Sequence, residues 1–340
     1  MLKIRPAHPD DLDGLYDLAV AAGPGMTSLP ADRDDLAIRV LTSCADFSRD
    51  VAAPAGEYYL LVAEDTATGE IVGTANVVAG IGLKTPALFF QINTERRAVA
   101  NGVAMEDLIL TPALDRKGYA EVGGLVVSPK MKGTGIGRLL SRSRYMLMAC
   151  APNRFPAMVM ANIRGWLDTD GRSPVWEAVG RRFFDGSFDD IDRLYGRGEK
   201  AGLIARMPRY PIYAALLPDS ARAALGKPHE ASRPALNMLL EDGFRDTGTV
   251  FFLDAGPCVE VNLLQIKAVA QSRVCEVALS EGSVDGPMTM AANPSWNGFA
   301  VVAAAANASI TQMPLSIDAA RALNVSVGQS VRVSPLKAQG

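Results

Sequence analysis

The alternation of apolar and polar positions predicts several short strands in the first half of the chain. Runs rich in Val, Leu, Ile and Tyr, bounded by Gly, Pro, Asn or Asp, are typical of strands. Two such runs are separated only by Asp65-Thr66-Ala67-Thr68-Gly69, which predicts a hairpin. The interval from Gly82 to Leu110 has apolar patches without a clear period and is predicted to be irregular. The predicted strands comprise residues 1–5, 58–64, 71–79, 121–127 and 157–161.

Apolar residues at helical spacing predict the helices between these strands. The first helix is predicted to have Asp10 as its cap, and a more polar helix ends near Ser43. Ser173 followed by Pro174 predicts a short helix, because Ser is a favoured N-cap and Pro fits the first helical position. The longest pattern begins after Gly135. Its apolar face comprises Ile136, Leu139, Leu140, Met146, Leu147 and Cys150.

A glycine-rich turn joins the strand at 121–127 to this longest helix. A helix N-terminus presents unpaired N–H groups and about half a positive charge from its dipole. Glycines in the turn carry no Cβ that would keep a pyrophosphate away from these groups. The junction therefore predicts a phosphate-binding site made of backbone amides. Its residues are Lys132, Gly133, Thr134, Gly135, Ile136, Gly137 and Arg138.

The spacing of Lys132, Gly135 and Gly137 resembles the (Gln/Arg)-x-x-Gly-x-(Gly/Ala) signature of the GCN5-related N-acyltransferases. Lys132 stands where that superfamily usually has Gln or Arg. The resemblance implies an acyl-CoA cosubstrate whose pyrophosphate is held by the turn. It also implies that the pantetheine arm pairs with strand backbone, for which the candidates are Leu125, Val126 and Val127.

Longer blocks resemble the bacterial arginine N-succinyltransferase family, including its arginine/ornithine members. They cover nearly the whole chain and are together much more specific than the glycine turn. The blocks are Gly25-Met26-Thr27-Ser28-Leu29-Pro30, Arg164-Gly165-x-x-Asp168-x-x-Gly171-x-Ser173-Pro174, Met207-Pro208-x-x-Pro211-Ile212-Tyr213, Gly226-x-x-His229 and Asp254-Ala255-Gly256-Pro257.

This resemblance implies an enzyme that transfers a succinyl group from succinyl-CoA to the α-amine of L-arginine, the first step of arginine degradation by the succinyl route. Direct attack of the amine on the thioester is expected. The resemblance also implies a homo-oligomer or a heteromer with a sister subunit. Ornithine or another amine as acceptor, acetyl-CoA as donor, and a non-catalytic module that binds CoA or an amino acid remain open alternatives.

Three departures from the family pattern bear on the substrates. The family's Gly-Gln-Val-His-Pro is replaced by Gly226-Lys227-Pro228-His229-Glu230, an arginine expected near Gln91 is absent, and Phe251 occupies an acidic position. These changes leave open which amino acid is acylated and which acyl group is donated.

The chemistry of acyl transfer selects the candidate side chains. An α-amino group titrates near 8 in model peptides, so a base that takes its proton is useful. Glu121 is the main candidate for the base, with a strand-end or substrate-binding carboxylate as the alternative. His229 is a second candidate, as a base acting through water or as a ligand for a carboxylate, against a structural imidazole.

Substrate binding is assigned to four further residues. The succinyl group and the amino acid each carry a carboxylate, which Arg binds through two parallel hydrogen bonds. Arg164 is the candidate for this contact and Asp168 for a guanidinium, with a structural Arg164–Asp168 pair as the alternative. The hydroxyls of Thr27 and Ser28 are expected either to contact substrate or to stabilise a turn.

Composition and charge argue against several other function classes. The formal net charge is −3 and there is no basic stripe, so no nucleic-acid partner is predicted. No apolar run approaches the roughly 20 residues that span a membrane. The four cysteines are scattered and there are two histidines, so no metal site is predicted and a reducing cytoplasm is the expected location.

The order of these elements predicts an α/β fold, more narrowly the mixed α+β sheet of GCN5-related acyltransferases. A helix, a glycine and an aromatic strand are expected to close that fold, and this ending is found at Gly180–Phe184 and again at Gly243-Phe244. We therefore predict an acyltransferase domain at 1–187, an incomplete second copy at 188–264 and a small β-rich appendage at 265–340.

Overall fold

One mixed sheet runs through the molecule. The computed structural model describes residues 1–22, 29–83, 85–98, 104–199, 201–280, 285–307 and 311–337, and within them fifteen strands form this sheet. The strands are β1 (Leu2–Pro6), β2 (Glu57–Asp65), β3 (Ile71–Ala79), β4 (Phe89–Ala98), β5 (Ala104–Ala113), β6 (Ala120–Val127), β7 (Met158–Asn162), β8 (Ile212–Tyr213), β9 (Arg245–Phe251), β10 (Pro257–Asn262), β11 (Arg273–Leu279), β12 (Met288–Asn293), β13 (Ala300–Ala305), β14 (Gln312–Leu315) and β15 (Ser330–Pro335).

The strand order across the sheet is β14-β11-β15-β12-β13-β1-β2-β3-β6-β7-β10-β9-β4-β5-β8. Among the described pairs, β6 with β7 and β11 with β14 run parallel, and the others run antiparallel. The parallel β6–β7 pair lies near the centre of the sheet. β6 is the strand that leads into the glycine turn, and the pair positions the site described below.

Helices cover both faces of the central strands, because successive strand residues point to opposite sides. On β2, Leu60 and Val62 pack with the first two helices, whereas Tyr59, Leu61 and Ala63 pack with the helix that follows the glycine turn. The α-helices are α1 (Leu12–Ala22), α2 (Arg33–Ser48), α3 (Ile136–Cys150), α4 (Arg181–Phe183), α5 (Phe188–Gly196), α6 (Ala201–Arg206), α7 (Asp219–Ala224), α8 (Arg233–Glu241), α9 (Lys267–Ala270) and α10 (Ile317–Leu323).

Most of the elements predicted in the first half are confirmed. The five predicted strands are β1, β2, β3, β6 and β7, with small shifts at their ends, and β2 and β3 form the predicted hairpin. The long helix begins directly after Gly135 as α3. The hydroxyl of Ser173 accepts the amide of Trp176 at 3.2 Å, as expected of a cap, and a π-helical turn at Trp176–Gly180 leads into α4.

Three predictions of local structure were wrong. The interval 82–110 is not irregular, because β4 and β5 pair there as a long hairpin whose outer halves are polar. Asp10 does not cap the first helical turn, since His8 is the N-cap and its Nδ1 accepts the amide of Asp10. No strand comes directly after Gly180, where α4 is followed by α5 with Ser187 as its cap.

Strands β9 and β10 of the predicted second unit lie within the sheet that the first unit forms. β10 pairs with β7 and β9 pairs with β4, so both lie between strands that precede residue 188. The strands after residue 265 continue the sheet at the opposite end, where β13 pairs with β1. The division of the chain at residues 187 and 264 stays a prediction.

Candidate active site

A cleft opens where the parallel strands β6 and β7 separate. They pair only through Ala120 with Val159 and Glu121 with Met160, so within these two fully described strands the rest of β6 has no ladder partner on that side. A cavity of about 320 Å³ occupies the gap. Six charged residues line it: Arg39, Glu121, Arg144, Arg164, Asp192 and Asp254.

A bulge in β6 shapes the wall of this cavity. Thr74 of β3 lies opposite Val126 and Asn76 lies opposite Gly123, so β6 has one extra residue between these pairs. Gly124 has φ of +58°, and a Cβ there would lie 2.2 Å from the Asn76 side chain. Glycine at position 124 therefore permits the bulge, because a side chain there would collide with Asn76.

The glycine turn leaves backbone amides available at the start of α3. Gly133 and Gly135 have φ of +83° and +89°, and a Cβ on either would meet no atom within 4 Å. In the described part of the chain, no backbone carbonyl accepts the amides of Gly133, Gly135, Ile136 or Gly137. Four amide donors thus have no backbone acceptor at the positive end of a helix, an arrangement suited to an anion.

The side chains of the turn are engaged to different degrees. The Thr134 hydroxyl donates to the carbonyl of Met131, and Arg138 pairs with Glu241 at 2.7 Å. Lys132 is exposed and forms no ion pair with another described residue. Its ammonium is therefore available to a phosphate, whereas the guanidinium of Arg138 is already neutralised.

Glu121 is held by a chain of polar contacts that spans three strands. Asn162 Nδ2 donates to Glu121 Oε1 at 2.6 Å, and the thiol of Cys258 donates to Asn162 Oδ1 at 2.8 Å. Because a carboxylate can only accept, the amide presents its NH₂ group to Glu121, and the thiol supports this orientation by donating to the amide oxygen. Burial, together with the negative charge of Glu121, raises the pKa of Cys258, so the thiol keeps its proton.

Arg164 follows β7 and carries the guanidinium predicted to bind substrate. It lines the cavity, and its side chain has no hydrogen bond or ion pair with any other described residue. Its carbonyl accepts the amide of His229 at 2.8 Å, which places His229 beside it. Partial burial and then the positive charge of Arg164 lower the pKa of His229, so its imidazole is neutral at pH 7.

Asp254 fixes the loop that carries Arg164. One carboxylate oxygen accepts the amide of Gly165 at 2.7 Å and the other accepts the amide of Gly256 at 2.8 Å. Burial raises the pKa of Asp254, against the opposing effect of these two amides. A Cβ on Gly165 would lie 2.4 Å from the Asp254 carbonyl, which explains why this segment requires glycine.

The cavity does not gather every predicted substrate residue. The carboxylate of Asp168 accepts the amides of Asp170 and Arg172, so it organises its own loop, and it forms no pair with Arg164. His229 Nδ1 accepts the amide of Ala231 at a helix start. Thr27 and Ser28 lie outside the described residues.

Several residues of the site had no predicted role. Asn162 and Cys258 end and begin strands, and nothing in their spacing marks them. Arg144 did leave a signal, because it lies four residues after Leu140 and three before Leu147, on the apolar face of α3. A charged residue at such a position requires a partner or a ligand.

The described residues contain no group of three or more His, Cys, Asp or Glu that could hold a metal ion. None of the helices formed by these residues is long and apolar enough to cross a membrane.

Comparison with known proteins points to one group. The family described as arginine N-succinyltransferase beta subunit matches residues 2–268. Arginine N-succinyltransferase subunit alpha of Pseudomonas aeruginosa is 34% identical over 335 residues, which cover 98% of this chain and 99% of the relative. Arginine N-succinyltransferase of Salmonella paratyphi B is 34% identical over 346 residues, covering 100% and 99%. The structure of arginine/ornithine succinyltransferase subunit AI from Pseudomonas aeruginosa matches 99% of each chain with a TM-score of 0.89 and 32% identity.

Proposed function

The chain belongs to the arginine N-succinyltransferase family, and from this premise we propose that it transfers the succinyl group of succinyl-CoA to the α-amine of L-arginine. The observation that carries the proposal is the unpaired edge of β6, which leads from Glu121 past the bulge to the open amides of the glycine turn. Residues 121–127 span about 20 Å at the usual strand rise. An extended thioester arm fits along such an edge, with its pyrophosphate at the turn.

We assign each part of the acyl-CoA to a position along this edge of β6. The pantetheine arm lies along Leu125–Val127. The pyrophosphate binds the ammonium of Lys132 and the amides of Gly133, Gly135, Ile136 and Gly137. The thioester carbonyl then lies near the bulge at Gly123-Gly124. Glu121 lies two residues before Gly123. We assign it to take a proton from the attacking ammonium, directly or through one water.

The chemical step needs no group beyond these. The neutral amine attacks the thioester carbonyl, the C–S bond breaks as the amide C–N bond forms, and CoA leaves as thiolate. The ammonium nitrogen loses two protons on its way to the amide. Glu121 takes the first before attack and passes it to solvent, and the second leaves the nitrogen as the C–S bond breaks and is matched by the proton that the thiolate takes up. Arg164, which has no described partner and lies beside His229, is assigned to the α-carboxylate of the amino acid.

The acceptor is tested by crossing amines with donors. We expect release of free CoA thiol with succinyl-CoA and arginine, and a product whose mass equals arginine plus one succinyl group. Ornithine is included as acceptor, because the matching Pseudomonas aeruginosa structure is named for both amino acids. No thiol release with any pair of arginine or ornithine and succinyl-CoA or acetyl-CoA would overturn the proposal.

We also propose that the chain acts in an assembly, since its relatives carry the names subunit alpha and subunit AI. Light scattering on the purified chain should give a mass above one protomer, or reach that mass only when a sister subunit is added. A monomer that is fully active alone would contradict this.

A further inference from the structure

Two arginines of α3 are buried, and they differ in whether an acidic side chain pairs with the guanidinium. Arg142 is fully buried, and its guanidinium pairs with the carboxylate of Asp242 through both Nε and Nη2. Arg144 is 3% exposed, and it forms no ion pair with any described residue. A buried charge without an opposite charge is strongly unfavourable, so it is retained where a ligand supplies the missing charge.

The hydrogen bonds of Arg144 all go to neutral oxygens, and its guanidinium also lies over the Tyr145 ring, 5.8 Å from the centroid. Nε donates to the carbonyl of Ser141 at 3.2 Å, Nη2 to the Ser141 hydroxyl at 3.0 Å and Nη1 to the carbonyl of Gly123 at 3.2 Å. A guanidinium has five N–H groups, so one on each terminal nitrogen is left without an acceptor among the described residues. Burial lowers the pKa of Arg144, with only partial compensation from Tyr145 and Asp242, which is the expected sign for an unneutralised cation.

The position of Arg144 identifies the anion. It lines the cavity and contacts Gly123, the residue beside the bulge where the thioester carbonyl is placed. The pyrophosphate lies at the other end of β6, at the glycine turn, and Arg164 lies beside His229 on the loop after β7. The two substrates bring two carboxylates, and both Arg144 and Arg164 line the cavity without an ion pair to a described residue.

We propose that Arg144 binds the distal carboxylate of the transferred acyl group and thereby selects a dicarboxylic acyl donor. The assignment rests on the proposed acyl transfer and goes further, because it names the residue that distinguishes succinyl-CoA from uncharged thioesters. The two unused N–H groups of Arg144 would donate to the two carboxylate oxygens. The carboxylate would thereby neutralise the positive charge that α3 buries.

The test compares succinyl-CoA with butyryl-CoA, an acyl donor of the same length in which a methyl group replaces the carboxylate. In Arg144→Met, kcat/KM for succinyl-CoA should fall roughly 10- to 100-fold, as expected for loss of a charge-assisted hydrogen bond. The value for butyryl-CoA and the KM for arginine should stay near those of the unmodified enzyme. Arg144→Lys, which keeps the charge but not the fork, should lie in between.

Ser143→Ala is the matched control, since Ser143 is buried on the same helix and donates only to the carbonyl of Leu139. It should leave the preference between donors unchanged. An equal loss with both donors in Arg144→Lys and Arg144→Met, or a rise confined to the KM for arginine, would overturn the assignment.

Binding measurements separate this assignment from the proposed reaction. Calorimetry should give tighter binding of succinyl-CoA than of butyryl-CoA to the unmodified protein, and Arg144→Met should abolish the difference. If no thiol is released from succinyl-CoA yet this difference is present, the reaction is wrong and the carboxylate site stands. If the unmodified protein binds both donors equally, Arg144 does not select the donor, whatever the reaction.

Discussion

At the scale of single residues, the site depends on groups that orient one another. The Cys258 thiol fixes the amide of Asn162, and that amide donates to Glu121 at 2.6 Å. The Glu121 carboxylate is thus held by an amide whose orientation a third strand supports. The residue itself was predicted from its place on β6, but its two supporting residues were not, since their alignment depends on strands that are distant in sequence.

Replacing Glu121 by Gln should lower kcat by about 10²- to 10⁴-fold, because the amide cannot take the proton of the ammonium group. The KM for succinyl-CoA should change little, as Glu121 lies away from the glycine turn. Glu70→Gln, in the exposed turn between β2 and β3, is the control and should be fully active. An active Glu121→Gln enzyme would leave His229 as the remaining predicted base.

At the scale of elements, the success of each secondary-structure prediction depended on how completely the element is buried. Strands β2 and β3 are buried along most of their length and β6 at every second residue, so their sequences are largely apolar and were predicted correctly. The outer halves of β4 and β5 are mostly polar and exposed. Their sequence pattern was therefore too weak to identify the two strands. The bulge and the helix start were predictable because glycines mark both.

Gly135→Ala tests the glycine turn as an anion site. Its φ of +89° makes alanine strained by about 1 kcal/mol, but no neighbour obstructs the new methyl group. The KM for succinyl-CoA should rise at least about tenfold, because the methyl group displaces a charged ligand from its amide donors. Gly69→Ala in the β2–β3 turn has φ of +75° and the same open surroundings, so it should show the strain without the KM effect. Equal KM values in the two variants would contradict the anion site.

The junction of β1 and α1 predicts a pH dependence of stability. Asp11 accepts two hydrogen bonds from Arg5 and one from the amide of His8. Burial alone would raise its pKa, but these contacts lower it overall. The stabilisation is therefore complete above the ordinary carboxyl pKa near 4 and is lost as the pH falls through the lower native value.

In Asp11→Asn, the free energy of unfolding should fall by about 2 kcal/mol at pH 7. Chemical denaturation across a pH series should show the gap to the unmodified protein narrowing below pH 4. A gap that is constant down to pH 2 would show that the charge of Asp11 has no part in the effect.

At the scale of the whole molecule, one guanidinium ties together the three predicted units. Arg142 on α3 pairs with Asp242, which follows α8, and donates to the carbonyl of Pro335 at the end of β15. These residues belong to the predicted segments 1–187, 188–264 and 265–340. No sequence pattern shows such a contact, because Asp242 lies 100 residues and Pro335 lies 193 residues from Arg142.

Asp242→Ala should lower the free energy of unfolding by about 3–5 kcal/mol, because it leaves the buried charge of Arg142 uncompensated. Scanning calorimetry of the unmodified protein should give one cooperative transition if the shared sheet makes the three segments one unit. Separate transitions in the unmodified protein would instead support independent folding of the predicted units.

The pairing of β7 with β10 has a consequence for synthesis on the ribosome. About a hundred residues separate these strands, so β7 leaves the exit tunnel long before its neighbour exists. Until residues 257–262 emerge, the nascent chain carries an exposed central strand edge, which is a template for intermolecular pairing. The carboxylate at Glu121 also lacks its oriented amide during this interval, because Cys258 is not yet present. Catalytic competence is thus acquired late in translation, and nascent chains that stall before residue 257 should be the ones that chaperones retain.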